Sequence, residues 1–423
     1  MDHRPTGFGI SQRILIVILL LAVGSPHLLA RERTITRDEL RDKIHGFWVG
    51  QLVGNFMGFP FENVYVDEPV PVRVDRYFTF KDAGPDLRVN DKDLRGYSPL
   101  LMHWMEGAFG DDDTDIEFVI LHAVEKHGLG ITYPQIAQAW KDHINRKIWV
   151  ANRTARDLME TGMLPPATGS KENNRNWFQI DPQLVNEIWS AFYPGMTEKA
   201  VERAAWSAHI TNDDWGTHPT MAYAAIYSGA FFETDIDKLV QMALAKLPAD
   251  SPFTEGVQDV IRWHRADGDW RVTRRRIHEK YYRYRKGDYE APVSVVSSLC
   301  NGLCGIMAML YGGGDFVETT AIAVCAGYDC DNQASTCAGL MGVMHGVGCI
   351  PDRFTKTPAP NINWAEPFND HYINYTRDGL PISNRISSMV ERIVKIAEQG
   401  IIDQGGRVVS ENGQRTYIVN CDF

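Results

Sequence analysis

Gly46-Phe47-Trp48-Val49-Gly50-Gln51-Leu52-Val53-Gly54-Asn55-Phe56-Met57-Gly58 carries a glycine at every fourth position, and this stretch decides the fold. Residues four apart lie one above another on a helix face. An interior glycine costs a helix about 1 kcal/mol relative to alanine, so the repeat needs an offsetting gain. Close approach of another element along the stripe supplies one. Tight helix packing accounts for the glycines by itself; a functional site at the end of the stripe, where Phe59-Pro60-Phe61-Glu62 breaks the helix, would add a second reason. Upstream, Thr36-x-x-Glu39 forms a capping box, and Leu40, Ile44 and Phe47 continue at helical spacing, so the helix begins there.

Helical periodicity recurs at Ile116, Val119, Ile120, Ala123 and Val124, at Leu184, Val185 and Ile188, and from Ala200 to Ala208. The Ala/Gly-rich stretches 221–231, 293–311, 318–326 and 333–347 read as buried helices. Strand patterns are scarce. The exception is Val408-Val409 and Tyr417-Ile418-Val419 flanking Asn412-Gly413, a type I′ turn dipeptide that predicts a small hairpin. The expected fold is all-α: a single compact multi-helix domain from about residue 34 to about 400, with a 401–423 extension that carries the hairpin.

The composition agrees. Of 423 residues, 44% are hydrophobic and 23% charged, which excludes disorder, collagen-like repeats and a polytopic membrane protein for the bulk of the chain. Lys+Arg number 43 against 54 Asp+Glu, a net charge of -11 that argues against nucleic-acid binding and suits a protein that holds cations. The one basic run, Arg271 to Lys286 with Tyr281, Tyr282 and Tyr284, reads as a surface helix. Residues 1–30 differ from the rest: Arg4 and Arg13 precede the apolar run 14–23, then small and polar residues follow. This predicts a secretory signal peptide cleaved after Ala30 or Gly24, and hence a secreted or periplasmic protein with no membrane segment after cleavage; an uncleaved anchor is the alternative. Six of the seven cysteines (Cys300, Cys304, Cys325, Cys330, Cys337 and Cys349) crowd one apolar stretch without paired CxxC spacing, so buried free thiols are expected and structural zinc is not.

Two acidic knots stand out. Asp111-Asp112-Asp113-Thr114-Asp115 precedes a helix expected near Thr114, and no Lys or Arg occurs from Gly96 to Glu125. Asp329-Cys330-Asp331-Asn332 precedes a helix expected near Gln333, and no Lys or Arg occurs from Gly287 to Asp352. Helix caps explain one or two such carboxylates. Repelling carboxylates without basic partners point to cations between the knots, and oxygen donors favour Mg²⁺, Mn²⁺ or Ca²⁺ over zinc.

Helix-borne Asp-Asp-Asp-Thr together with a distant Gly-x-Asp-x-Asp loop resembles the ADP-ribosylglycohydrolase family. Other segments agree in order: the glycine helix ending in Phe59-Pro60-Phe61-Glu62, Gln179-Ile180-Asp181, His209-Ile210-Thr211-Asn212-Asp213-Asp214-Trp215-Gly216, Tyr311 to Phe316, Gly346, Ile350-Pro351 and Pro367-Phe368-Asn369-Asp370. The resemblance spans residues 39 to 398. It implies an all-α glycohydrolase with two divalent cations, Mg²⁺ or Mn²⁺, that cleaves an N- or O-glycosidic bond to ADP-ribose. By resemblance Asp112, Asp113, Asp329 and Asp331 fall on metal-ligand positions, and Glu62 on a glutamate that approaches the metals. Asp111 and Asn332 stand where the family commonly has threonine, each still offering a ligand oxygen; Asn55 stands where Asp is frequent, and Asp213 where glycine is usual.

Carried through, the resemblance makes Glu62, Asp112 and Asp181 the catalytic group, with Asp181 either the base for water or an N-cap before Pro182. It makes Gln179, His209, Asn212, Trp215 and Tyr328 the substrate contacts, although a buried histidine satisfied in the core is an equal reading of His209. The expected partner is a small-molecule glycoside or an ADP-ribosylated substrate, met by a monomer. Two further readings stand beside it: a non-catalytic relative that binds a nucleotide or sugar, and a binuclear phosphoesterase, which usually wants histidine ligands that neither knot contains.

Overall fold

The computed structural model describes residues 31–90, 106–110 and 112–423. The signal segment 1–30 and Asp111 lie outside these described residues.

The glycine stripe meets what it requires. The opening helix Arg37–Gly58, capped by Thr36, whose side chain accepts from the Glu39 amide, packs antiparallel on the helix Cys330–His345. A Cβ built on Gly46 would stand 2.4 Å from Gly342 O, on Gly50 2.4 Å from Ala338 O, and on Gly54 2.4 Å from Ala334 C. On Gly58 it would stand 2.2 Å from Asp331 Cα. Each step of four along one helix thus steps back three or four along the other. Two helices that approach this closely need small residues on both sides, and 330–345 supplies them.

Around this central pair the other helices form layers. Ser298–Gly312 and Phe316–Cys325 flank Cys330–His345, Trp270–Tyr281 and Pro252–Ala266 cover Ser298–Gly312, and Ile386–Asp403 covers the opening helix. Thr197–Ala208, His218–Ala230 and Ile236–Leu244 pack in sequence at one side. The all-α expectation therefore holds. No helix among the described residues is long and apolar enough to cross a membrane.

Four details differ from the sequence reading. The predicted hairpin, Arg407–Glu411 with Gln414–Cys421, turns at Asn412 and Gly413 with φ of 52° and 81°, as a type I′ turn requires. It is nevertheless one part of a three-stranded sheet, because Arg31–Thr36 pairs antiparallel with Gln414–Cys421. The two acidic helices start earlier than expected, at Asp112 and Cys330, which moves Asp331 and Asn332 into a first turn. The 293–311 stretch becomes helical only at Ser298. Finally, the basic run is not simply a solvated face: within Trp270–Tyr281, Arg274 is fully buried. All seven cysteines are free, Cys349 partly exposed and the rest buried.

Candidate functional site

The C-terminus of the opening helix delivers Glu62. After Gly58 the chain turns through Phe59 to Asn63, where φ is 57°, and then runs alongside the loop before Asp329. The Asn63 amide donates to Tyr328 O at 2.7 Å, and the Tyr328 amide donates to Tyr65 O at 2.8 Å. Tyr328 adopts φ 61° and Gly327 φ 76°; a Cβ on Gly327 would lie 2.0 Å from Tyr65 O, so only glycine fits. Carboxylates adjacent to each strand of this bridge converge: oxygens of Glu62, Asp329 and Asp331 lie within 4.8 Å of one another.

Asp329 occupies the N-cap position of Cys330–His345, yet its side chain makes no capping hydrogen bond. That separates it from an ordinary cap. Its backbone is held instead, because Asn301 Oδ1 accepts from the Asp329 amide at 3.0 Å. The second knot is tied to the first by Asn332, whose Nδ2 donates to Asp113 Oδ2 at 2.7 Å. The opening helix joins them through Asn55, which accepts from the Thr114 hydroxyl at 3.2 Å.

Glu62, Asp112, Asp113, Asp329, Asp331 and Asn332 line a cavity of about 500 Å³ together with Phe59, Asn63, Lys147, Trp149, Val150, Ile180, Asp181 and Val296. Among the described residues, six carboxylates (Glu62, Asp112, Asp113, Asp181, Asp329, Asp331) and one basic residue, Lys147, line this cavity. A larger cavity of about 720 Å³ lies elsewhere, where Arg41, Lys356 and Arg385 are already paired with Glu391, Asp352 and Asp370.

Asp181 precedes the short helix Pro182–Val185 but does not cap it; its Oδ1 accepts from the Asn152 amide at 2.8 Å, at the start of Val150–Glu160. Its other oxygen is buried with no partner among the described residues, and burial raises its pKa to about 7. Opposite, buried Arg377 donates to Asp112 O at 2.7 Å, Lys147 O at 3.1 Å and Arg146 O at 2.8 Å, fixing the first knot against the cavity wall. That wall is strained: Lys147 and Val150 have φ of 51° and 27°, rare for side-chain-bearing residues and rarer for a β-branched one.

The donor set fits a hard divalent cation. It is all oxygen, three carboxylates converge, and beside them the buried Asn332 Oδ1 has no partner among the described residues. Such carboxylates otherwise stay neutral or repel one another.

The remaining expected substrate contacts do not line this cavity. Tyr328 is fully buried, its hydroxyl bonded to His278 Nδ1 at 2.7 Å. Asn212 is buried and donates to Gln179 O at 2.6 Å and Gly216 O at 3.2 Å, while His209 Nδ1 meets Asn212 O at 3.2 Å. Gln179 Oε1 accepts from the Ser294 hydroxyl at 3.0 Å. Trp215 bonds to the Tyr289 hydroxyl and lines a separate cavity of about 370 Å³. These groups shape the loops that carry Ile180 and Asp329. The sequence reading missed Lys147, Trp149 and Val150; Trp149, 60% exposed at the N-cap of Val150–Glu160, is the residue whose exposed apolar bulk could have signalled the site.

The profile of the family described as ADP-ribosylglycohydrolase matches residues 36–378. A solved structure described as an ADP-ribosylglycohydrolase-related protein complex superposes with a TM-score of 0.51 at 16% identity, covering 85% of this chain and 99% of that one. No match of comparable significance is found among curated protein sequences. The family profile embraces the glycine helix, both acidic knots, Asp181 and Arg377. The chain belongs to the ADP-ribosylglycohydrolase family and is a hydrolase of glycosyl bonds.

Proposed function

We propose that the chain is an exported, divalent-metal-dependent glycohydrolase that cleaves a ribosyl or closely related glycosyl bond in the acidic cavity. The observation that carries this reading is the convergence of Glu62, Asp329 and Asp331 within 4.8 Å in a cavity whose other wall holds Asp112 and Asp113. Those five residues, with Asn332, would hold two cations, Mg²⁺ or Mn²⁺. Cations held there would supply the positive charge that orients vicinal sugar hydroxyls and acidifies water.

The chain's own residues supply the rest. Asp181 lines the cavity and is held by one oxygen on the Asn152 amide, while its other oxygen has no partner among the described residues. With a pKa near 7 it takes the proton of the attacking water at neutral pH. The attack falls on an anomeric carbon of oxocarbenium character, which the surrounding carboxylates stabilise. Trp149 and Phe59 give apolar faces against which water is excluded and the leaving group rests. The departures at Asn55 and Asp213 bear little on substrate choice. Asn55 is tied to Thr114, and Asp213 caps its own turn by accepting from the Asp214 and Lys171 amides.

Export rests on the 1–30 segment, and cleavage after Ala30 would leave Arg31, the first residue of the terminal sheet, as the new N-terminus. N-terminal sequencing of protein from cell and medium tests that part. For the activity, ADP-ribosyl-protein, nucleosides and aryl glycosides are offered with Mg²⁺ and with Mn²⁺. Hydrolysis of one of them that chelator stops and metal restores supports the reading, and chelator-resistant turnover contradicts it.

A further inference from the structure

We propose that Arg274 is a positioning residue for the acidic site: its buried guanidinium staples the loop that carries Glu62 to the loop that carries Asp329 and leads into the helix of Asp331. The proposal rests on the reading of these carboxylates as a cation site.

The geometry is specific. Arg274 is fully buried, which is costly for a charge unless its donors are satisfied. Nε donates to Ala326 O at 2.9 Å, three residues before Asp329. The two terminal nitrogens reach the other loop, one to Asp67 O at 3.0 Å and the other to Val66 O. A planar fork thus binds three carbonyls on two chain segments, which a lysine's point charge does not match. The same guanidinium lies over the Tyr328 ring, with Cζ 4.5 Å from the centroid. One turn further on the helix, His278 Nδ1 bonds the Tyr328 hydroxyl at 2.7 Å.

Between those clamps lie the two backbone bonds that place the carboxylates: Asn63 N to Tyr328 O, and Tyr328 N to Tyr65 O. Glu62 is next to the first donor, and Asp329 follows the second. Tyr328 sits at φ 61°, a strained state for a residue with a side chain, and persists only because its surroundings over-determine it. Arg274 is therefore placed to set the spacing of Glu62 from Asp329 and Asp331 through the backbone carbonyls of Val66, Asp67 and Ala326. Groups of this kind around metal ligands commonly alter metal affinity by about 10–100-fold when removed.

The test uses the full chain with Arg274→Ala, Arg274→Lys and, as a control on the same helix, Arg276→Ala, which loses the 2.6 Å ion pair with Asp267. Two quantities are read: hydrogen exchange at the Asn63 and Tyr328 amides without metal, and the affinity for Mn²⁺ alone. Arg274→Ala is expected to speed exchange at both amides at least roughly tenfold and to weaken Mn²⁺ binding by a similar factor, with Arg274→Lys in between and Arg276→Ala unchanged. Amides as protected in both Arg274 variants as in the wild type would overturn the staple, as would global unfolding of even Arg274→Lys, which would make the residue a support of the fold at large. Loosened amides with unchanged Mn²⁺ affinity would overturn its role in positioning. A wild-type chain that binds no Mn²⁺ would instead sink the cation reading, with the staple still judged by exchange.

Discussion

Alanine at Gly58 and at Gly46 separates the packing role of the glycine stripe from its role in the site. At Gly58 the added methyl would stand 2.2 Å from Asp331 Cα and 2.5 Å from Asp331 N; at Gly46 it would stand 2.4 Å from Gly342 O and 2.8 Å from Gly342 C. Carbon atoms pack at about 3.5–4 Å, so either methyl forces the helices apart locally by roughly 1 Å. The obstacle in both cases is backbone, which cannot swing aside. Over-packing costs about 1–3 kcal/mol, and alanine returns about 1 kcal/mol of helix propensity, which leaves a net loss of up to about 2 kcal/mol. Both variants should melt a few degrees below the wild type, on the scale of ~2–4 °C per kcal/mol or less for a chain of this size. Their chemistry should diverge. Gly58→Ala moves Asp331 itself and should lose hydrolysis about 100-fold, because misplacement by 1 Å has that effect on positioned groups. Gly46→Ala acts about 18 Å away along the helix and should keep most turnover. Thermal melts with chelator and with Mn²⁺, beside turnover on the substrate found by screening, decide the matter. Equal turnover in the two variants would refute the claim that the stripe's end builds the site.

Asp331→Asn should abolish hydrolysis and melt near the wild type, since asparagine keeps volume and a capping oxygen but loses the charge; Asp329→Asn and Asp112→Asn should follow, and full turnover in a folded Asp331→Asn would mean that the carboxylates are only caps. Glu187 is buried, with its pKa raised to about 8 from the ordinary 4.5, so the native chain holds a proton that the unfolded chain releases, and stability should fall as pH rises between those values. Glu187→Gln should therefore match the wild type near pH 5 and exceed it by about 2–4 kcal/mol at pH 9 in denaturant titrations; a constant difference across pH would contradict this. Thiol counting under non-reducing conditions should find all seven cysteines free in denaturant and slow to react in the native chain, because burial raises thiols such as Cys304, to about 12. Fewer than half free would oppose that assignment.

The parts of the fold written in short-range pattern were readable. The glycine period stated that a backbone must come close, and the small-residue stretch around 338 provides it. The acidic knots were readable because charges without local partners are costly wherever they end up. What escaped depends on distant pairing. Arg31–Thr36 has only Ile35 buried, so its strand character comes from Gln414–Cys421 at the other end of the chain. Gln179 Oε1, Asn212 Nδ2 and the Tyr328 hydroxyl look like ligand contacts in a motif, but each bonds to protein atoms, which sequence spacing cannot reveal. Arg274 vanished into a charge run, although it shares a helix stripe with Trp270, Ile277 and Tyr281, all buried. That shared period is the signal that could have found it.

The central claim is that the acidic cavity holds divalent cations on Glu62, Asp112, Asp113, Asp329 and Asp331. Calorimetric titration of Mn²⁺ into chelator-treated protein, wild type and Asp331→Asn side by side, tests it most directly. The account predicts two ions bound per wild-type chain and a loss of affinity of at least about tenfold in the variant, with both proteins folded. Absence of binding to the wild type, or equal binding to the two proteins, would contradict it.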